Sequence, residues 1–230
     1  MKKLFDILII IFSTTLIYAQ NGQGTYSYPD GSKYVGAFKN DAFNGQGIYT
    51  FSDSSKYIGN FKNNRFNGIG LLNFADTTIF VGEFKNDKLN GVGTRSTASG
   101  TQYVGEFKDD RYDGQGSLVF PNGIIYVGEF KNSLYDGQGA LLNPNVFFYV
   151  GKFKNGLVNG YGTITYFDGS RYTGEFINGK FNGKGTFIFP DGTIYVGDFK
   201  NDNFNGQGTY TYPDGSKLEG EFKDGVLLEP

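Results

Sequence analysis

The chain has 230 residues, a formal charge of −2 and a pI near 5.2. That balance gives no support for nucleic-acid binding, which shows a basic face or stripe, and the absence of Cys excludes disulfides and thiolate metal sites. Glycine (36 residues) stands at about twice its usual ~7% share, and the 18% of aromatic residues are all Phe or Tyr, a pairing that suits repetitive β structure and neither collagen nor a disordered chain.

Residues 1–19, MKKLFDILIIIFSTTLIYA, read as a signal peptide. Lys2 and Lys3 form a positive start, an apolar run follows from Ile7 to Ile17, and Ala19 is small enough to precede a cut. The run is interrupted by Ser13, Thr14 and Thr15 and falls well short of the ~20 apolar residues that a spanning helix needs. The expectation is export, to the periplasm, the cell surface or the medium, with the mature chain starting at Gln20.

A half unit occupies 20–33, and from Tyr34 the sequence repeats every 23 residues. Units begin at Tyr34, Tyr57, Phe80, Tyr103, Tyr126, Tyr149, Tyr172 and Tyr195, giving eight complete repeats over 34–217; a truncated one, 218–230, starts at Leu218. A period this strict predicts a stacked array in which each unit buries its apolar face only against its neighbours.

One unit, YVGDFKNDNFNGQGTYTYPDGSK at 195–217, shows the local logic. Tyr195, Gly197 and Phe199 alternate with Val196 and Asp198, the period of a strand. A loop then closes at Asn205-Gly206, a strong turn dipeptide, and Gly206–Tyr212 forms a second strand. Pro213-Asp214-Gly215 makes the next turn: Pro presets φ, Asp bonds its own backbone and Gly takes the left-handed position. Glycines share a face with the rings, so a ring on one strand can lie over a glycine of the next. The fold class expected is all-β, an elongated, twisted single-layer antiparallel sheet of β-hairpin repeats. Roughly 17 strands at about 4.8 Å would make a ribbon on the order of 80 Å long.

The segments YVGEFKDDRYDGQG (103–116), YVGEFKNSLYDGQG (126–139) and YTGEFINGKFNGKG (172–185), each followed by a turn, resemble the MORN (membrane occupation and recognition nexus) repeat. The resemblance covers residues 21–225 and implies an elongated, twisted antiparallel sheet with a groove. In those members that are enzymes it implies that catalysis resides in a separate domain, and none is expected here.

The residue inventory points the same way. Without His or Cys, the usual triads, the commonest general base and the common transition-metal ligands are missing, so no catalytic residue, metal ligand or cofactor site is expected. Glu83, Glu106, Glu129, Glu175 and Glu221 recur two residues before a Lys in most units and are expected to form Glu–Lys ladders on the outward face. Asp168, Asp191 and Asp214 are turn residues, with too few oxygen neighbours for the 6–8 that Ca²⁺ takes.

The aromatic face has binding character. Because a phenol wants a polar or wet partner, Tyr103, Tyr126, Tyr149 and Tyr172 are the candidate binding residues. Two units break the pattern: Thr94-Arg95-Ser96-Thr97 puts Arg95, a further candidate, on the ring-bearing face, and Asn143-Pro144-Asn145-Val146 replaces a DG turn. The function expected is a non-enzymatic binding or scaffold module working through protein contacts at the cell envelope. The alternatives are a peripheral membrane protein touching phospholipid head groups, which the slightly acidic charge disfavours, and a glycan-binding array, which lacks Trp.

Overall fold

The computed structural model describes residues 21–228; the expected signal peptide lies outside them. Among the described residues there are nineteen strands and no helix. β1 is Asn21–Ser27. Each unit then supplies a shorter strand and a longer one: β2 (Lys33–Lys39) and β3 (Ala42–Thr50), β4 (Lys56–Lys62) and β5 (Arg65–Asn73), β6 (Ile79–Lys85) and β7 (Lys88–Ser96), β8 (Gln102–Lys108) and β9 (Arg111–Val119). The pattern continues with β10 (Ile125–Lys131) and β11 (Leu134–Asn143), β12 (Phe147–Lys154) and β13 (Leu157–Tyr166), β14 (Arg171–Ile177) and β15 (Lys180–Ile188), β16 (Ile194–Lys200) and β17 (Asn203–Thr211). β18 (Lys217–Lys223) and a two-residue β19 (Val226–Leu227) complete it. Every strand pairs antiparallel with its neighbours in sequence, so the sheet is one open meander.

The hairpin turn sits four residues earlier than the sequence suggested. In the unit at 195, the two-residue turn is Asn201-Asp202, with φ of 48° and 73°, and Phe199 faces Phe204 across it. Positive φ at both central residues is what a turn matching the strand twist requires. The same pair is Asn40-Asp41 and Asn63-Asn64 in the first units. Asn205-Gly206 lies inside β17 instead, and the positive φ of Gly206 (92°) belongs to an irregularity in the ladder between Gly197 and Phe199. This is a β-bulge, repeated in every complete unit, that bends the strand. The Pro-Asp-Gly turn is as expected: Gly215 has φ 86°, and Asp214 accepts hydrogen bonds from the Ser216 amide (2.9 Å) and hydroxyl (2.6 Å).

The bulge also explains the recurrent glutamates. Where register slips, an amide on the longer strand loses its ladder partner, and a glutamate opposite accepts from it: Glu106 from the Gln115 amide at 2.9 Å and Glu129 from the Gln138 amide at 2.8 Å. Glu106 and Glu129 therefore serve the backbone and not the Glu–Lys ladders expected of them. The described ion pairs lie elsewhere, at Lys184–Asp198 (2.8 Å) and Arg65–Asp87 (3.9 Å). Units are tied together at the hairpin turns as well. Asn64, Asp87, Asp110 and Asp202 each reach back to the unit before, accepting from the amides of Phe43, Phe66, Leu89 and Phe181 at 2.7–2.8 Å.

The core is a single layer of rings on one face. The first residue of a unit stacks on the ring of the following strand, as Tyr34 on Phe43 (3.7 Å, 13°) and Tyr126 on Tyr135 (3.8 Å, 14°). The same tyrosine meets edge-on the Phe four residues later and the Phe of the next unit: Tyr126 is 4.9 Å from Phe130 and 5.1 Å from Phe153. Edge-to-face and offset contacts suit the ring quadrupoles. Glycine is obligatory beneath: a Cβ on Gly139 would lie within 2.5–2.7 Å of the Tyr126 ring and hydroxyl.

Candidate functional site

The four tyrosines singled out from the sequence are brought onto one face, but none of them is open to a ligand. Tyr103, Tyr126, Tyr149 and Tyr172 have no exposed surface, and neither have Tyr34, Tyr57 and Tyr195 at the same repeat position. Each hydroxyl donates to the backbone carbonyl three residues on: Tyr103 to Glu106 (2.9 Å), Tyr126 to Glu129 (2.8 Å), Tyr149 to Lys152 (3.0 Å) and Tyr172 to Glu175 (2.9 Å). That carbonyl belongs to the residue opposite the bulge, so the phenol satisfies an acceptor the ladder leaves over. Burial pushes the pKa of Tyr34, Tyr149 and Tyr195 up to about 12 and raises the other four as well. The polar partner that a buried phenol demands is the protein's own backbone, which the sequence could not show.

Arg95 does lie on the ring face. Its strand partners are Phe80 and Tyr103; its guanidinium sits 5.6 Å from the Phe80 ring centroid, and Nη1 donates to the Tyr112 hydroxyl at 3.1 Å. Nε is buried without a hydrogen-bond partner. Unit three is also the complete unit that lacks the tyrosine (Phe80), and it has Leu89 where every other complete unit but one, which has Val158, carries a ring. Arg95 thus occupies a local gap in the aromatic layer, half-buried, with its Phe80 contact of cation–π type.

The opposite face carries the exposed side chains. Cross-strand pairing there lines up a column running across the strands: Val35, Ile48, Ile58, Leu71, Val81, Thr94 and Val104. Beside it stand Ile69 and Val92, 60% and 62% exposed. The same column over β13–β17 reads Thr163, Thr173, Thr186, Val196 and Thr209, with Thr163 and Thr173 hydroxyls 3.0 Å apart. Repeat positions in equivalent places of the sheet are therefore mostly aliphatic at one end, Thr94 excepted, and mostly hydroxylated at the other, Val196 excepted. Two shallow depressions lie on the described surface. One of about 490 Å³ near the hairpin turns of β10–β13 is lined by Lys131, Lys152, Lys154 and Asp136 among others. The other, about 430 Å³, lies over the threonine end beside Tyr161 and Lys184.

Among known proteins, the MORN repeat model matches at residues 19–33, 34–56, 57–78, 80–102, 103–125, 126–145, 149–171, 172–194 and 195–217. No curated protein matches the chain. Among solved structures, the chain is similar to the TCP domain of Drosophila melanogaster SAS-4 (dCPAP), solved in complex with a proline-rich motif of a second protein: 16% identity, 94% of this chain and 99% of that one covered, TM-score 0.33. It is also similar to a streptogramin B lyase structure at 11% identity, with 87% and 83% covered and a TM-score of 0.18. Neither likeness bears on activity at these values. Nine consecutive matches over most of its length, on a sheet built of tandem hairpins, place the chain in the MORN repeat family.

Proposed function

We propose that the chain is an exported, non-enzymatic scaffold that binds a protein partner at the cell envelope through the aliphatic column of β2–β8. One observation carries this reading: the column is Val, Ile or Leu at six of its seven positions over β2–β8 and Thr at four of its five over β13–β17, at equivalent positions of the same repeat. Thr and Val favour strands for the same reason, a branched Cβ that fits a pleated surface. Strand propensity therefore gives no cause for the difference. Contiguous exposed apolar surface is the mark of an interaction site, and the threonine end is its internal control.

A protein partner fits this surface better than a lipid head group or a glycan. The stripe is apolar and flanked by carboxylates such as Glu83 and Glu106, where anionic membranes reward clustered cations. The family's repeats are consistent with a binding or scaffold role, and the signal-like N-terminus supports export. The double substitution Ile69→Lys/Val92→Lys tests the reading: it should abolish partner retention from envelope extract while melting stays within about 0.5 kcal/mol of the parent, as for exposed sites generally. Thr186→Lys/Thr209→Lys should leave retention intact. Equal retention by all three proteins would refute the assignment.

A further inference from the structure

Every complete unit lays the fourth residue of the repeat over the bulge glycine of the strand that follows. In units three, four, five, seven and eight that residue is acidic: Glu83 over Gly91, Glu106 over Gly114, Glu129 over Gly137, Glu175 over Gly183 and Asp198 over Gly206. Ala37 and Asn60 hold the place in the first two units. Unit six has Lys152 instead, whose Cβ and Cδ lie 3.2 Å from where a Cβ on Gly160 would stand. We propose that the bulge of unit six is a carboxylate-binding site, where a glutamate or aspartate side chain of a bound peptide takes the place that the chain's own carboxylate holds in the units on either side.

Two donors converge at this place. In units four and five the carboxylate accepts from the backbone amide just after the bulge glycine, that of Gln115 at 2.9 Å and that of Gln138 at 2.8 Å. The equivalent amide in unit six belongs to Tyr161. An ammonium group has three donors and no acceptor, so Lys152 cannot take that bond and adds a positive charge beside it. A carboxylate brought by a peptide satisfies both groups: one oxygen accepts from the Tyr161 amide and the other from Lys152 Nζ, a charge-assisted pair.

The surroundings favour a peptide over a free anion or a membrane. Lys152 lines the depression near the hairpin turns together with Lys131 and Lys154, and none of the three belongs to an ion pair among the described residues. Asp136, the carboxylate in that depression, already accepts from the Asn155 amide at 3.1 Å. Leu134 on its wall is 48% exposed, and Tyr161 is 62% exposed. The stem of an acidic side chain and its neighbours in a peptide can cover that apolar surface, whereas inorganic phosphate cannot. Glu129 and Glu175, at the same repeat position on either side, oppose an anionic membrane laid across the face, which rewards clustered cations. Lys152 stands on β12, outside the column of β2–β8, so this site and that column stand or fall separately.

Amide-resolved heteronuclear NMR of the whole chain tests the proposal, with a terminally capped triglutamate peptide as the probe. The Tyr161 amide should shift downfield and saturate, while the Gln115 and Gln138 amides, already bonded to Glu106 and Glu129, should stay in place. Lys152→Glu supplies the carboxylate from within: the Tyr161 amide should stand downfield before any peptide is added, and its response to the peptide should be lost. Lys152→Met removes the charge alone and should weaken binding roughly three- to tenfold. Lys152 is exposed, so neither substitution threatens the fold. A Tyr161 amide that triglutamate leaves in place would overturn the proposal, and so would an undiminished response in Lys152→Glu. A response to inorganic phosphate at equal ionic strength, with none to the peptide, would overturn it too, since the site would then take free anions.

Discussion

Tyr126→Phe removes one oxygen from a side chain that has no exposed surface. In the parent that oxygen donates to the Glu129 carbonyl at 2.8 Å, within a part-buried site. Losing a neutral hydrogen bond costs about 0.5–1.5 kcal/mol net, and a buried acceptor left unpaired costs about 1–3 kcal/mol. Because the site is only part-buried, water can reach the carbonyl in the variant, and the expected loss is near 1 kcal/mol. The ring contacts with Phe130, Tyr135 and Phe153 persist, so nothing else in the ledger changes. Coupling in an array is to nearest neighbours, so the loss should be local. The assay is native-state hydrogen exchange resolved by repeat: amides of β9–β12 should lose about 1 kcal/mol of protection, with β2–β4 and β16–β17 unchanged. Phe80 supplies the reciprocal experiment, since Phe80→Tyr offers a hydroxyl where that unit has none and should raise protection over β6–β8 by a similar amount. Unchanged protection in Tyr126→Phe would refute the account of the phenols as partners of the carbonyls opposite the bulges.

Gly128→Val should cost at least 1–3 kcal/mol, because a Cβ there would stand 2.5 Å from the Gln138 carbonyl oxygen and the Gly139 Cα, backbone that cannot swing aside; chemical denaturation of the variant measures it. Ser54→Gly should stabilise by about 0.5–1 kcal/mol, since Ser54 holds φ 73° at a turn position where most units have glycine; an unchanged midpoint would count against that. Alkaline pH should unfold the protein. The buried phenols keep their protons in the folded state at a pH where the unfolded chain has lost them, so their contribution is whole below about pH 10 and fades as pH rises toward about 12. Absorbance at 295 nm and circular dichroism should change together, and phenolate appearing before loss of strand signal would contradict it. Arg95→Leu, the residue that units two and four carry at that position, should be neutral or stabilising because it removes a buried unpaired Nε, and thermal melting decides it.

The strand content, the period and the ring–glycine face were legible because each is a one-dimensional pattern. The hairpin turn was misplaced because Asn205-Gly206 is the stronger dipeptide by itself. The aromatic pair Phe199 and Phe204 around Lys200-Asn201-Asp202-Asn203 carried the correct signal, since facing rings require a two-residue loop between paired strands. The roles of the tyrosines and glutamates were not legible. Both groups serve backbone atoms released by a bulge, and a bulge is a register slip between two strands that no residue type announces. Arg95 was placed on the right face by alternation alone. The contrast between aliphatic and threonine ends is present in the sequence, but it acquires meaning only once pairing shows that those residues form a single column.

The central claim is that the rings are core and that the aliphatic column, together with Ile69 and Val92 beside it, is the binding surface. Site-specific photo-crosslinking in intact cells tests it most directly, with the photoreactive side chain placed in turn at Ile69, Val92, Thr186 and Thr209. The account predicts a discrete protein adduct from Ile69 and Val92 and none from the two threonine positions. Adducts of equal yield from all four positions, or from the threonine positions alone, would contradict it.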